Sequence, residues 1–196
     1  MPTSRGLLEL VVGMGLALLL MGMSMAFLIP ALRHSARSSA QGEIQQQLIV
    51  AVNQLEGDLR STVVPGLSLD KGSWGGVLSM IYLADLSSTG QARWSDHARV
   101  YCWDSATERL WSKTGVPQPP LTLDPLHLTP LPIAELKGLL DTPNGSERML
   151  GTGVQAFTVK EPLTSPVEIT LRAGRAFNGG QVQFELTRHI AMRNSP

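Results

Sequence analysis

The sequence predicts an α+β protein, in which one long N-terminal helix, apolar in its first half and amphipathic in its second, packs against an antiparallel β-sheet domain. Three observations predict it. An uncharged apolar run lies near the N-terminus, apolar residues recur every three to four positions from Ile44 to Val63, and the period changes to two after Pro65. The 196 residues carry 16 Lys+Arg against 16 Asp+Glu, a formal net charge of zero. A charged fraction of 16% is below the about 25% usual in soluble domains. Zero net charge argues against the basic footprint that nucleic acid rewards. A single cysteine, Cys102, excludes an internal disulfide and a cysteine-based zinc cage, and four histidines leave little for a metal site.

The apolar run, Leu10 to Ile29, reads LVVGMGLALLLMGMSMAFLI, with Ser24 its one hydroxyl. About twenty helical residues span about 30 Å, the thickness of a bilayer's hydrocarbon core. A cleaved secretory signal would have a shorter run of about 7–15 residues and a small-residue cleavage site after it. Here Pro30-Ala31-Leu32-Arg33 follows and the helical pattern resumes. The run therefore predicts a single membrane-crossing helix. Arg5 before it balances Arg33 and Arg37 after it too evenly for charge alone to set the orientation. Gly13 with Ala17 and Gly22 with Ala26 are small residues four apart, a spacing that lets membrane helices approach closely. Glu9 stands at the edge of the run with apolar residues on both sides. A carboxylate there either pairs with a cation, which makes it a candidate functional residue, or snorkels into the headgroups at the helix start.

Beyond the span, Ile44, Leu48, Val52, Leu55, Leu59 and Val63 form one stripe, with Gln45, Gln46, Gln47, Asn53, Glu56 and Asp58 mainly on the other faces. Pro65-Gly66 ends the helix. Pro30, Gly42 and Gly57 are its weak points. The steps lean toward 3.6 rather than the 3.5 of a coiled coil, so the stripe is expected to pack on the chain's own strands.

Strands are expected over 77–86, 97–103, 109–113, 154–159, 167–171 and 182–190, with a turn at 87–90 and a hairpin loop at 104–108. Residues 116–132 hold six prolines and read as an extended loop, and 133–140 as a short helix or turn. Alternation places Arg99, Tyr101 and Trp103 on one face of the hairpin's first arm. Arg109, Trp111 and Lys113 alternate on the return arm. Taken as one aromatic-basic face, with Tyr101, Trp103 and Trp111 at its centre, they are a candidate contact surface. The alternative is that the rings form a second small core under the proline-rich loop.

No nucleophile elbow, zinc-protease motif, phosphate loop or paired-cysteine motif occurs. Asp96-His97 adjoin without an evident nucleophile, and His34, His97, His127 and His189 read as surface or loop residues. Cys102 falls on the apolar side of its strand, as a small core residue does. Asn144-Gly145-Ser146 fits a glycosylation sequon and equally an Asn-Gly turn. No catalytic residue, metal or cofactor is expected.

A short basic leader, Gly6, an apolar residue, Glu9 and then the apolar run together resemble a type IV prepilin N-terminus. The resemblance implies cleavage by a prepilin peptidase between Gly6 and Leu7, N-methylation of Leu7, and a role for Glu9 in subunit assembly opposite a neighbour's terminal amine. That cut makes Glu9 the third mature residue, where the family places its glutamate fifth. A cut between Ser4 and Arg5 restores the fifth place at the cost of an arginine N-terminus, and an unprocessed chain is the third possibility. Further on, Leu55 to Arg60, the Val100-Tyr101 to Leu110-Trp111 hairpin, Met149 to Phe157 and Leu186 to Asn194 resemble, in that order, segments of J-type minor pseudopilins of type II secretion and W-type minor pilins.

The division implied is a leader at 1–6, a transmembrane helix at 7–30, its amphipathic continuation at 31–64 and an extracytoplasmic β-rich domain at 65–196. The resemblance places the protein in a bacterial inner membrane, single-pass, with its C-terminal domain on the periplasmic side. It implies a non-enzymatic subunit of a pseudopilus or type IV pilus. Its partners would be other pilin-like subunits, the peptidase and an inner-membrane assembly platform. The rival expectations are a competence or adhesion pilus component that binds DNA or surfaces, and a membrane-anchored binding domain with no filament role.

Overall fold

Residues Thr3–Arg60 form a single α-helix, α1, in a computed structural model that describes residues 3–86, 88–90, 92–117, 145–177 and 180–192. The helix runs through Pro30 without a break. Over residues 9–35 every side chain is exposed, and burial begins in earnest at Ala40. From there Ala40, Ile44, Leu48, Ala51, Val52, Leu55 and Leu59 are all buried, the stripe expected from the sequence, now lying against the chain's own sheets. The helix stops at Arg60 rather than near Val63. The Ser61 and Thr62 amides donate to the Asp58 and Leu59 carbonyls in tighter turns, and the Thr62 hydroxyl leaves the helix to donate to the Ile81 carbonyl. A 3₁₀ turn at Val64–Gly66 then leads into the strands.

Eight strands follow: β1 (Leu67–Gly72), β2 (Gly75–Leu86), β3 (Ala92–Asp104), β4 (Arg109–Pro117), β5 (Arg148–Thr152), β6 (Val154–Val159), β7 (Val167–Phe177) and β8 (Gly180–Ile190). All pair antiparallel, β1 to β5 as a five-stranded meander and β6 to β8 as a three-stranded one. The six expected strands are present, several of them longer than alternation alone indicated, and β1 and β5 are additional. The expected turn is described at 88–90. Of the expected loop at 116–132, residues 116 and 117 belong to β4. The remainder, the segment 133–140, His127 and Asn144 lie outside the described residues.

Two glycines fix this topology. At Gly75, where β2 begins, φ is +139° and a Cβ would stand 1.9 Å from the Trp103 carbonyl oxygen, so no side chain fits the tight β1–β2 turn. At Gly153, φ is +70° and a Cβ would stand 2.4 Å from the Gly174 oxygen. Gly153 is the single residue between β5 and β6, so the chain passes from one sheet to the other on a left-handed pivot, with the Gly174 amide donating to the Gly153 carbonyl at 2.8 Å.

The main core lies between α1 and the two sheets. Leu78, Met80, Tyr101 and Leu110 come from the first sheet, and Phe157, Ile169, Leu171 and Val182 from the second. The opposite face of the five-stranded sheet carries a smaller cluster, Val77, Ala98, Val100, Cys102 and Val116, with Trp74 and Trp111 against it.

Candidate functional site: the uncovered half-helix and its clasp

Nothing in the described chain lies against the apolar run. Leu10 is 62% exposed, Leu18 69% and Phe27 77%. The run is long and apolar enough to cross a membrane. Its one hydroxyl is satisfied inside the helix, because Ser24 Oγ donates to the Leu20 carbonyl at 2.8 Å, the four-back bond open to a serine within a helix. Gly6 and Glu9 are exposed on the same helix. Gly13 and Gly22 have open space where a Cβ would stand. At about 100° per residue, the Gly13–Ala17 pair and the Gly22–Ala26 pair lie on opposite sides of the helix. They therefore offer two separate close-approach points rather than one continuous face.

The docked half is held by polar contacts as well as by its stripe. Asp58, whose side chain is 13% exposed, accepts from both Arg99 and Tyr101 on β3. Arg99 Nη1 bonds Asp58 Oδ1, and the Tyr101 hydroxyl donates to Asp58 Oδ2 at 2.7 Å. The Arg99 guanidinium also lies over the Tyr82 ring, 4.5 Å from its centre. Gln54 Nε2 donates to Ser112 Oγ at 3.3 Å, and at the other end of the docked half Glu43 pairs with Arg175 of β7 at 2.5 Å. Burial, reinforced by the Asp58 charge, pushes the Tyr101 phenol above its ordinary range, so it stays a neutral donor. Sequence reasoning placed Asp58 among the solvent-facing polar residues and missed this clasp. The available signal was its position one residue before Leu59, on the shoulder of the stripe.

The aromatic-basic hairpin face is not one face. Asp104 pairs with Arg109, so from Val100 to Asp104 each odd-numbered residue of β3 stands beside an even-numbered residue of β4, the register shifting only beyond Val100. Tyr101 and Trp103 consequently share the helix side with Ser112 and Leu110, whereas Trp111 and Lys113 share the opposite side with Cys102 and Val100. Tyr101 has no exposed surface. Trp103 is partly buried against the main core and donates its Nε1 hydrogen to the Val154 carbonyl at 2.7 Å. Trp111 covers the smaller cluster. Its ring centre is 4.8 Å from Lys113 Nζ, and that ammonium, although its side chain is only 2% exposed, reaches Glu147 at 3.4 Å. The four-residue loop sets this phase. Asp104 caps it, accepting from the Ala106 amide at 2.9 Å and the Thr107 hydroxyl at 2.7 Å, and the Thr107 bond holds its carboxyl below the usual range.

The remaining candidates show no convergent chemistry. Cys102 is fully buried, and burial pushes its thiol up to about 12, far from a thiolate nucleophile at neutral pH. His97 Nδ1 lies 2.6 Å from the Asp96 carboxylate on the surface, and His34 and His189 are exposed. Lys160 bonds Glu168 at 2.7 Å and lowers its carboxyl, with His189 4.0 Å away. Among the described residues no group of three or more His, Cys, Asp or Glu could hold a metal ion.

No protein-family model matches the chain, and neither does any curated protein. Among solved structures it is similar to a type IV-like pilin from Thermus thermophilus, at 14% identity and a TM-score of 0.43, over 76% of this chain and 97% of that one.

Proposed function

We propose that this chain is a pilin-like structural subunit, anchored by its apolar half-helix and assembled laterally with similar helices. The observation that carries the reading is the division of α1. One half buries its stripe on the chain's own sheets, and the other leaves about 30 Å of apolar surface uncovered. A bilayer covers such a surface first, and packing among like helices, which in lipid relies on van der Waals fit and small residues, is the use that fits an N-terminus of prepilin type. The sequence resemblance supports the finer reading of a minor pseudopilin of type II secretion or a minor pilin of a type IV pilus. On that reading residues 1–6 are a leader, the cut falls between Gly6 and Leu7, and Leu7 is methylated. The domain from residue 65 onward then stands outside the bacterial inner membrane. Glu9 meets a neighbour's terminal ammonium, since a carboxylate moved into lipid needs a cation beside it. Cleavage and methylation are done to the protein by a peptidase, and a membrane platform raises the subunits. The role is mechanical and involves no cofactor.

Intact-mass spectrometry of the membrane-extracted protein tests the processing. A mature chain beginning at Leu7 with one added methyl is expected, and the full-length mass overturns it. Glu9→Leu tests the assembly role. The variant should remain in the membrane yet lose cross-links to sister subunits, and wild-type cross-linking would remove Glu9 from assembly.

A further inference from the structure

Between the span and the first docked residue lies a neck, residues 30–39, none of whose side chains is buried. It contains Arg33, His34 and Arg37, and no Asp or Glu occurs anywhere between Glu9 and Glu43. All three side chains are exposed. At about 100° per residue they fall within an arc of about 100°. That arc also contains Ile44, Leu48, Ala51 and Leu55, the residues that dock the sheets. These side chains therefore continue the docking stripe downward, on the side of the helix that the domain overhangs. Above them the rim of the domain is marked by Ala40 and by the Glu43–Arg175 pair.

With the apolar run in a bilayer, heights along the helix place the two arginines at its surface. Arg33 lies about 6 Å and Arg37 about 12 Å beyond Ile29 at 1.5 Å per residue. The headgroup layer is about 5–8 Å deep on each side of the hydrocarbon. Side chains on a helix tilt toward its N-terminus, which here is toward the membrane, so the longer reach of Arg37 is directed back into that layer. Arginine presents a planar fork matched to phosphate oxygens. With no carboxylate on the neck to satisfy them, the guanidinium groups face the one layer at this height that is rich in anionic oxygens.

We infer that Arg33 and Arg37, with His34 beside them, form a binding site for the phosphate of an anionic phospholipid, seated in the wedge between the bilayer surface and the underside of the domain. The bound headgroup fixes how far the domain stands off and which side of the neck it leans over. The inference requires only that the apolar run spans a membrane, and it holds whether or not the chain enters a filament.

The test uses the full chain in membranes. Resistance to alkaline carbonate extraction first establishes insertion; release by carbonate removes the span and this inference with it. Native mass spectrometry then measures lipids retained from vesicles of phosphatidylcholine containing about 30% phosphatidylglycerol. Wild type should retain phosphatidylglycerol over phosphatidylcholine by about tenfold or more. Arg33→Gln should lower that preference about fivefold, the ratio a single basic residue near an anionic surface ordinarily supplies. Arg33→Gln/Arg37→Gln should abolish it, and Arg60→Gln at the far end of the helix should leave it unchanged. Equal retention of the two lipids, or a double variant that keeps the wild-type preference, overturns the site. Displacement of the lipid by inorganic phosphate at equal concentration also overturns it, because the neck would then be a free-anion site rather than a lipid site.

Discussion

The two halves of α1 are one continuous helix, and their sequences assign them to different solvents. From Leu10 to Ile29 apolar residues occupy every face, and all are exposed; from Ala40 to Leu59 most of them form one buried stripe, with Ile49 and Val50 exposed off it. A helix apolar all round needs an apolar surround, whereas a helix with one apolar stripe needs one partner surface. The sheets supply that surface for the second half, and nothing in the described chain supplies it for the first. Secondary structure alone does not distinguish the halves; which faces carry apolar side chains does.

The largest effect expected from this contrast is all-or-none. A chain beginning at Ser39 keeps every helical residue of the main core, and should be soluble and unfold cooperatively in denaturant. Sedimentation with membranes, or a non-cooperative transition, would show that the first half contributes to the fold of the second. Next in size is a matched pair of truncations in the full-length protein. Leu48 is 1% exposed, and Leu48→Ala should destabilise the domain by about 2–5 kcal/mol. Leu18→Ala should leave the domain's denaturation midpoint unchanged, because its side chain contributes nothing to the domain core. Equal losses at the two sites would erase the contrast.

A smaller effect is expected at the clasp. Asp58→Asn removes the charge facing Arg99 and weakens the acceptor of the Tyr101 hydroxyl. About 1.5–3 kcal/mol is the scale for hydrogen bonds to a charged group, measured as a shift of the denaturation midpoint. The same clasp makes stability depend on alkaline pH. Burial, then the Asp58 charge, raise the folded Tyr101 phenol above its unfolded value of about 10. Its contribution is therefore fully present below about pH 10 and is lost as pH rises beyond that, because the unfolded chain ionises first. Tyr101→Phe should flatten that alkaline decline, and an unchanged decline would assign it to other groups.

Legibility in the sequence follows the range of the interactions. The apolar half of the helix is a matter of local composition, the docking stripe and six strands depend on periods of 3.6 and 2 within a few residues, and all were readable. β1 and β5 were not. LSLDKG offers two inward leucines before its lysine and glycine, and RMLGT only one buried apolar side chain, Leu150, too little for alternation to register. The split into two sheets turns on the left-handed backbone of Gly153, which a glycine permits but does not announce. The hairpin's facing was misjudged because phase across a hairpin is set by the loop's pairing, Asp104 with Arg109, and not by alternation within either arm. The clasp joins residues 41 and 43 positions apart, beyond the reach of any local pattern.

The smallest expected effect concerns where one half of the helix ends and the other begins. The Glu43–Arg175 pair is the ion pair nearest the apolar run among those described, and both side chains are about half exposed, at 49% and 47%. Exposed pairs of this kind are worth about 0–1 kcal/mol, so Arg175→Gln should barely move the global denaturation midpoint. Its effect should instead be local. The pair sits at the first turn of the docked half, where Ala40 and Ile44 begin the buried stripe and open helix lies below. Without it, amide hydrogen exchange should accelerate through residues 40–44 and remain unchanged around Leu55, where the stripe and the Asp58 clasp hold the helix independently. Acceleration spreading to Leu55 would mean that the docked half opens as one unit. Unchanged exchange at 40–44 would mean that burial of Ala40 and Ile44 alone sets the boundary, and the ion pair only marks it.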